Sequence, residues 1–322
     1  MPSLKEIKTR IASVKNTLKI TSAMKMVASA KLHKAQTAIG NNVPYTQQLH
    51  RILGGMLQDR DLLAAINKEY GFGKNVPIVL QDVAHDEIPA KEGDSRVAVV
   101  AFSSNSSLCG SFNANVIKRL KDVLGRLSEK GYSHDDIDIY ALGRKVAEAA
   151  RKDGYELSAD LTEMADKPDY DYASELSESL VGDFISGEMK SPTRDFISGE
   201  ISQVILVYSH FASMGSQPVI VENYLPLPLN LAGSEELPVD YILEPDPLTL
   251  VRSLLPKVLK LKIYTVMLDA SAAEHAARTI AMQVASDKAQ NLIAELTLVY
   301  NKTRQQAITA EILDIVGGSM NS

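Results

Sequence analysis

The chain lacks tryptophan, holds one cysteine in 322 residues, and has no apolar run of the length a membrane span requires. A single cysteine excludes an internal disulfide and points to a reducing compartment. A spanning helix needs about 18 or more apolar residues, so direct insertion into a membrane is not expected. Met1–Ala12 is charged and has no apolar core, so it does not read as a secretory signal. The chemical signatures of an enzyme are equally scarce. No GxGxxG follows the first predicted strand, and the six histidines (33, 50, 85, 134, 210 and 275) show no metal-ligand spacing. Gly71-Phe72-Gly73-Lys74 resembles the end of a phosphate loop. However, Asn75 stands where Ser or Thr is required, and no Gly lies five residues before Gly73. No cofactor, metal or catalytic residue is therefore expected.

Two further absences define the architecture. Glu274–Gly318 contains no proline, and no glycine before Gly317. Interior proline costs a helix about 3 kcal/mol and glycine about 1 kcal/mol, so the stretch predicts one continuous helix. The pattern reaches back to about Leu248 and is interrupted only by Pro256. At 1.5 Å per residue this predicts a rod of roughly 100 Å, longer than an ordinary domain.

The other end of the chain supplies a partner for that rod. Leu4, Ile7, Ile11, Val14, Leu18, Thr21, Lys25, Ala28, Leu32, Ala35 and Ile39 step by alternating threes and fours. Leu259, Ile263, Val266, Ala270, Ala273, Ala277, Ile280 and Val284 do the same. A sustained 3.5-residue period is a coiled-coil seam, and its many alanines permit close approach. A wide core stripe on each of two separate helices is the alternative. The two helices pair antiparallel if the middle of the chain folds as a domain at one end. The expected division is a coil of 1–57 with 247–318, an irregular connection over 58–95, and an α/β domain over 96–246.

Charge is uneven. The net charge is −6, yet Met1–Ile39 carries eight basic residues and one acid, a net of +7. A basic helix can bind a phosphate backbone, an anionic membrane or an acidic protein, or be no more than a solvated face. No aromatic residue lies before Pro44 to stack on a base or anchor in a bilayer, which disfavours nucleic acid and membrane. An acidic protein partner remains.

The middle reads as alternating strands and helices. Strands are predicted at Arg96–Ser103, Ile137–Leu142, Gln203–Ser209 and Val219–Tyr224, and helices at Phe112–Lys130, Arg144–Asp153 and Tyr170–Ile185. That order implies a mainly parallel sheet covered on both faces, a Rossmann-like α/β domain. Ser106–Asn113 (SSLCGSFN) forms the turn after the first strand, where such sheets often bind ligands. Cys109 within it is either a small buried residue or a nucleophile, and no histidine is near in sequence to activate it. The hexapeptide DFISGE occurs at Asp183–Glu188 and again at Asp195–Glu200, and reads as a duplication in a surface loop. Gly54–Gly93, with scattered prolines and mixed charge, reads as a long connection with partial order.

These segments together resemble the gamma subunit family of the F-type ATP synthase, bacterial type. The resemblance is carried by IKTRIASVKNTLKITSAMKMVASAKLHKAQ near the start, SLCGSFNANV and EPDP in the middle, and EHAARTIAMQVASDKAQNLIAELTLVYNKTRQQAITAEI with IVGG at the end. It covers nearly the whole chain. Asn105 and Ser107 stand where the family usually has Asp and Gly, and Lys288 where it often has Asn. The cysteine pair of the redox-regulated chloroplast form is missing.

The resemblance implies a non-catalytic rotor shaft that transmits torque and couples proton flow to ATP synthesis. It implies as partners three alpha and three beta subunits of the catalytic head, an epsilon subunit, and the membrane ring of c subunits, at the cytoplasmic face of the bacterial membrane. By motif, Met24 and Lys25 would lie near an acidic lever of the catalytic subunits. Glu274 and Arg278 would be polar grips in the shaft, and Arg304, Gln305 and Thr309 would meet a catch loop. Ile312, Leu313, Ile315 and Val316 would form an apolar tip in a hydrophobic bearing. Two readings from other classes compete: a coiled-coil adaptor using the basic helix, and a small-molecule enzyme built around Cys109.

Overall fold

The computed structural model describes residues 3–57, 60–70, 78–79, 90–186, 201–228 and 243–319. The GFGK segment, the second DFISGE copy and half of the predicted connection fall outside those residues. The helices are α1 (Leu4–Met56), α2 (Arg60–Tyr70), α3 (Phe112–Glu129), α4 (Arg144–Lys152), α5 (Tyr170–Ser186) and α6 (Pro247–Ser319). The strands are β1 (Ile78–Val79), β2 (Arg96–Phe102), β3 (Ile137–Leu142), β4 (Leu157–Asp160), β5 (Ile201–Ser209), β6 (Val219–Leu225) and β7 (Leu227–Pro228).

Local chemistry sets the ends of the helices. Ser3 and Glu6 form a reciprocal cap at the start of α1: the Glu6 carboxylate accepts from Ser3 N at 2.9 Å and Ser3 Oγ from Glu6 N at 3.3 Å. Asp246 caps α6, accepting from Thr249 N at 2.9 Å and Thr249 Oγ1 at 2.7 Å, with Pro247 in the first-turn position that proline favours. The Thr249 hydroxyl holds the Asp246 carboxyl below the usual carboxylate range. Gly131, at φ +97°, ends α3: Tyr132 N donates to Leu127 O and Gly131 N to Ser128 O. Pro256 does not interrupt α6, contrary to expectation. Leu255, Val258 and Leu259 beside it are buried. At about 1.5–3 kcal/mol each, their burial outweighs the roughly 3 kcal/mol that an interior proline costs.

The chain divides into two compact units. The larger, Lys31–Ala277, is built on a five-stranded sheet of order β4-β3-β2-β5-β6, parallel except for β6. Alternation along β2 sends Val97, Val99 and Ala101 to one face and Ala98, Val100 and Phe102 to the other. The first face is covered by Val116, Leu120, Val123 and Leu127 of α3 and Val146 and Ala150 of α4. The second is covered by Leu176 and Leu180 of α5, Leu53 of α1, and Val251, Leu255 and Val258 of α6. Burial on both faces is why these strands read as continuous apolar runs. In the same unit α1 and α6 also meet each other, through Leu32 and Ala35 against Ala272 and Ala276. The 58–95 stretch, expected to be irregular, carries α2. Its Ile66 is fully buried, and Leu62 and Leu63 pack against the second face, an amphipathic spacing strong enough to order a short helix.

The smaller unit is a helix pair, Met1–Ala30 of the chain with Arg278–Ser322. Every predicted seam residue of α1 is buried or half-buried there: Leu4, Ile7, Ile11, Val14, Leu18, Thr21, Lys25 and Ala28. The predicted α6 seam fails beyond Ala277. Ile280 and Val284 are 42% and 47% exposed, and the inward positions are Thr279, Met282, Ser286 and Ala289. Half-buried Ile293, Leu296, Tyr300 and Thr303 continue that stripe. The cause lies in the larger unit, where α6 is covered by both α1 and the sheet. Almost every position from Val258 to Ala277 is buried or half-buried, so apolar letters there cannot single out the stripe that faces α1.

Candidate functional site

In a parallel sheet of this kind, ligands bind in the crevice beyond the carboxyl ends of strands whose connections diverge. Here that crevice lies between β2 and β5, and the SSLCGSFN turn follows β2 into it. Ser103 Oγ accepts from Val146 N at 3.0 Å and Asn105 Oδ1 from Arg144 N at 2.9 Å, tying the turn to the start of α4. Asn113 Oδ1 accepts from Ser104 N at 3.0 Å, and Asn105 Nδ2 donates to Thr162 O at 2.8 Å. Gly143 passes so close to Ser103 that a Cβ there would lie 2.1 Å from the Ser103 carbonyl oxygen, and its φ is +106°. Only glycine fits.

The crevice is filled by the chain itself. Cys109 and Phe112 pack against Ala273 of α6, with Phe211 and Ala277 beside them. Asp269 of α6 accepts from Phe211 N at 2.8 Å, and its other oxygen lies 2.6 Å from His210 Nδ1. The space left between Phe102, Ser103, Met267, Ser271 and Glu274 is about 20 Å³, room for one water and no more. Cys109 is 1% exposed, and its sulfur receives Asn113 Nδ2 at 3.1 Å. The thiol is a packed core group with no access for a substrate. A second cavity, about 240 Å³, lies among α5, β6 and α6. Its lining is mainly apolar, with Val181, Phe184, Leu225, Leu255 and Leu259, and its polar members are engaged within the chain: Lys260 pairs with Glu178, and Ser177 Oγ lies 2.7 Å from the Tyr224 hydroxyl. Among the described residues no group of three or more His, Cys, Asp or Glu could hold a metal ion, and no helix is long and apolar enough to cross a membrane.

The motif-assigned residues fall into three groups. Met24 and Lys25 are half-buried on α1. Glu274 and Arg278 are each 8% exposed, so little of either side chain is offered outward. Arg304, Gln305 and Thr309 are exposed, and Thr309 Oγ1 turns back to donate to Gln305 O at 2.9 Å. Ile312, Leu313, Ile315 and Val316 are 54%, 64%, 68% and 50% exposed on the last turns of α6, with Ile308 one turn earlier. Lys8, Lys15 and Lys19 all face solvent. Sequence reasoning overlooked a further set of exposed apolar side chains: Ile20, Met26 and Val27 on α1, and Leu298 and Val299 on α6. Their signal was available, since each is an apolar residue off its helix's buried stripe.

Single exposed apolar side chains are ordinary, but the cluster of Ile308, Ile312, Leu313, Ile315 and Val316 at one helix end has the character of a surface that a partner covers. The chain thus combines an α/β unit whose sheet crevice is closed by its own long helix with a unit made of a helix pair. The comparisons with known proteins are specific. The sequence pattern of the ATP synthase family matches residues 3–320. The ATP synthase gamma chain of Bacteroides fragilis is 48% identical over 324 residues, covering 99% of this chain and 100% of that one. That of Parabacteroides distasonis is 41% identical, covering 99% of each. The chain belongs to the ATP synthase gamma-chain family, and is thus a subunit of a membrane-associated complex. In fold it is similar to a chain of the Euglena gracilis mitochondrial ATP synthase solved with OSCP, F1 and the c-ring (TM-score 0.55, 17% identity, covering 98% of this chain and 93% of that one). It is also similar to a chain in the rotor of the same enzyme (TM-score 0.54, 17% identity, covering 95% and 98%).

Proposed function

We propose that this chain is the central-stalk rotor subunit of a rotary ATP synthase, transmitting torque between the membrane ring and the catalytic head. It carries no catalytic site of its own. Its partners are three alpha and three beta subunits around the coil, and an epsilon subunit and the ring of c subunits at the α/β domain. The chain itself sits peripherally at the cytoplasmic face of the bacterial cell membrane, and the complex couples proton flow to ATP synthesis. The coil of 1–57 with 247–318 serves as the shaft and 96–246 as the foot. Met24, Lys25, Arg304, Gln305 and Thr309 supply contacts to the catalytic subunits, while Glu274 and Arg278 stiffen the shaft from within. As the shaft turns, each catalytic subunit meets a different face of it. Differential contact energy then biases that subunit between open and closed states.

The observation that carries this reading is the apolar end of α6 in a chain of this family. Apolar contacts are non-directional, so Ile312, Leu313, Ile315 and Val316 can turn against an apolar sleeve without breaking oriented hydrogen bonds. Ile312→Asp with Val316→Asp would bury unpaired charge in that sleeve and should cut the yield of assembled complex and its ATP-driven rotation rate. Ile312→Leu with Val316→Leu should be nearly silent. Normal assembly and rotation of the double-Asp variant would remove the bearing from the account.

A further inference from the structure

We propose that Thr21 and Ser286 are positioning residues that lock the axial register of α1 against α6 in the helix-pair unit. The consequence for torque rests on the rotor reading; the lock itself does not. The two hydroxyls lie 2.8 Å apart, both buried, from positions 265 residues apart in the chain. Thr21 Oγ1 also lies 3.1 Å from Leu18 O. A threonine hydroxyl has one proton. Donating it to the Leu18 carbonyl leaves Thr21 Oγ1 as the acceptor, so Ser286 is the donor across the seam.

The rest of the seam specifies register weakly. Counting outward from the pair in the antiparallel sense sets Leu18 opposite Ala289, Val14 opposite Ile293 and Ala28 opposite Thr279. Alanine makes a shallow knob and Met282 a flexible one, and apolar contacts have no preferred direction. A slip of one heptad therefore keeps most of the apolar groups on apolar groups, with Lys25 and Thr279 the polar exceptions in the seam. The hydroxyl pair does not survive it. Slipping one way sets Thr21 against Ile293 and Ser286 against Ala28. Slipping the other way brings Thr279 opposite Thr21 but leaves Ser286 against Val14. A polar pair hydrogen-bonded across a largely apolar seam is a means of fixing register. In a rotor the register matters because it decides which α1 side chains stand beside which α6 side chains on each face the catalytic subunits meet.

The test uses the full-length chain with reporter cysteines, Cys109 being buried and left in place. Leu18→Cys with Ala289→Cys reports the native register. Leu18→Cys with Leu296→Cys, and Leu18→Cys with Met282→Cys, report the two slips, since a disulfide needs Cα atoms within about 7 Å. With Thr21 and Ser286 intact, oxidation should close the native pair and leave the slipped pairs open. In Thr21→Val with Ser286→Ala, slipped cross-links should rise about tenfold, the scale of one hydrogen bond. Thr21→Ser with Ser286→Thr exchanges the hydroxyls and should restore the native pattern. Unchanged cross-linking in the hydroxyl-free variant, or no rescue by the exchanged pair, overturns the lock. Protons pumped per ATP hydrolysed by the assembled complex then judge the rotor reading separately: slipped register with undiminished pumping would leave the lock standing and count against the shaft.

Discussion

The carboxylate of Asp269, on α6, accepts the backbone N–H of Phe211 at 2.8 Å and stands 2.6 Å from the His210 ring nitrogen just beyond β5. One side chain thus joins the long helix to the mouth of the sheet, where a ligand would otherwise bind. Asp269→Ala should destabilise the chain by about 1–3 kcal/mol, because it removes both contacts and leaves the Phe211 N–H without this acceptor. Asp269→Asn keeps an acceptor oxygen for Phe211 and should lose less. Urea unfolding of the two variants checks the order, and equal losses would mean that the charge toward His210 carries the whole effect.

Cys109 offers a direct contrast between a packing group and a nucleophile. Its 1% exposure predicts that a thiol reagent labels the native chain only as fast as it opens. Cys109→Ala should cost roughly 1 kcal/mol of stability and leave ATP synthesis by the assembled complex intact. Loss of activity in a folded, assembled variant would restore a chemical role for the thiol.

Asp183 supplies a pH dependence. Burial raises its pKa above the usual aspartate value, while the Tyr140 hydroxyl, 3.0 Å away, donates to it and opposes the shift. For an acid with a raised folded pKa, the folded state binds the proton more tightly than the unfolded state. The contribution to stability is therefore present below the unfolded pKa and is lost as pH rises through the folded pKa. Asp183→Asn, which can still accept from Tyr140, should accordingly raise Tm at neutral pH. The gain should shrink as pH falls below the raised value. A gain that is flat from neutral to acid pH would show that desolvation of the charge is not the cause.

The solvent-facing lysines predict an electrostatic effect on assembly. Changing Lys8, Lys15 and Lys19 together to Glu alters the charge of the first helix by six and should weaken assembly or coupling against an acidic partner. The deficit should be largest at low salt, because the screening length falls from about 30 Å at 0.01 M to about 10 Å at 0.1 M. ATP synthesis that is the same as wild type at every ionic strength would leave these lysines as a solvated face.

The sequence by itself determined the elements with strong local signals. The absence of proline and glycine over Glu274–Asp314 required α6, and the three-four spacing from Leu4 to Ala28 identified the buried stripe of α1, because one neighbour covers one stripe. Continuous apolar runs at Val97–Phe102 of β2 and Val204–Tyr208 of β5 announced a sheet buried on both faces. Four strongly patterned segments also sufficed to resemble a family, and with it a function. Tertiary structure alone decided what depends on a second neighbour. The α6 stripe shifted to Thr279, Met282 and Ser286 because the sheet buries a second side of that helix lower down, and because polar seam residues are invisible to a search for apolar letters. Pro256 was accommodated because packing on either side outweighs a local cost. The SSLCGSFN turn occupies a ligand-binding position in its topology, yet Ala273 and Asp269, some 160 residues away in sequence, close it. Local sequence carries propensity and periodicity; whether a crevice is open or filled depends on which distant segment the fold brings to it.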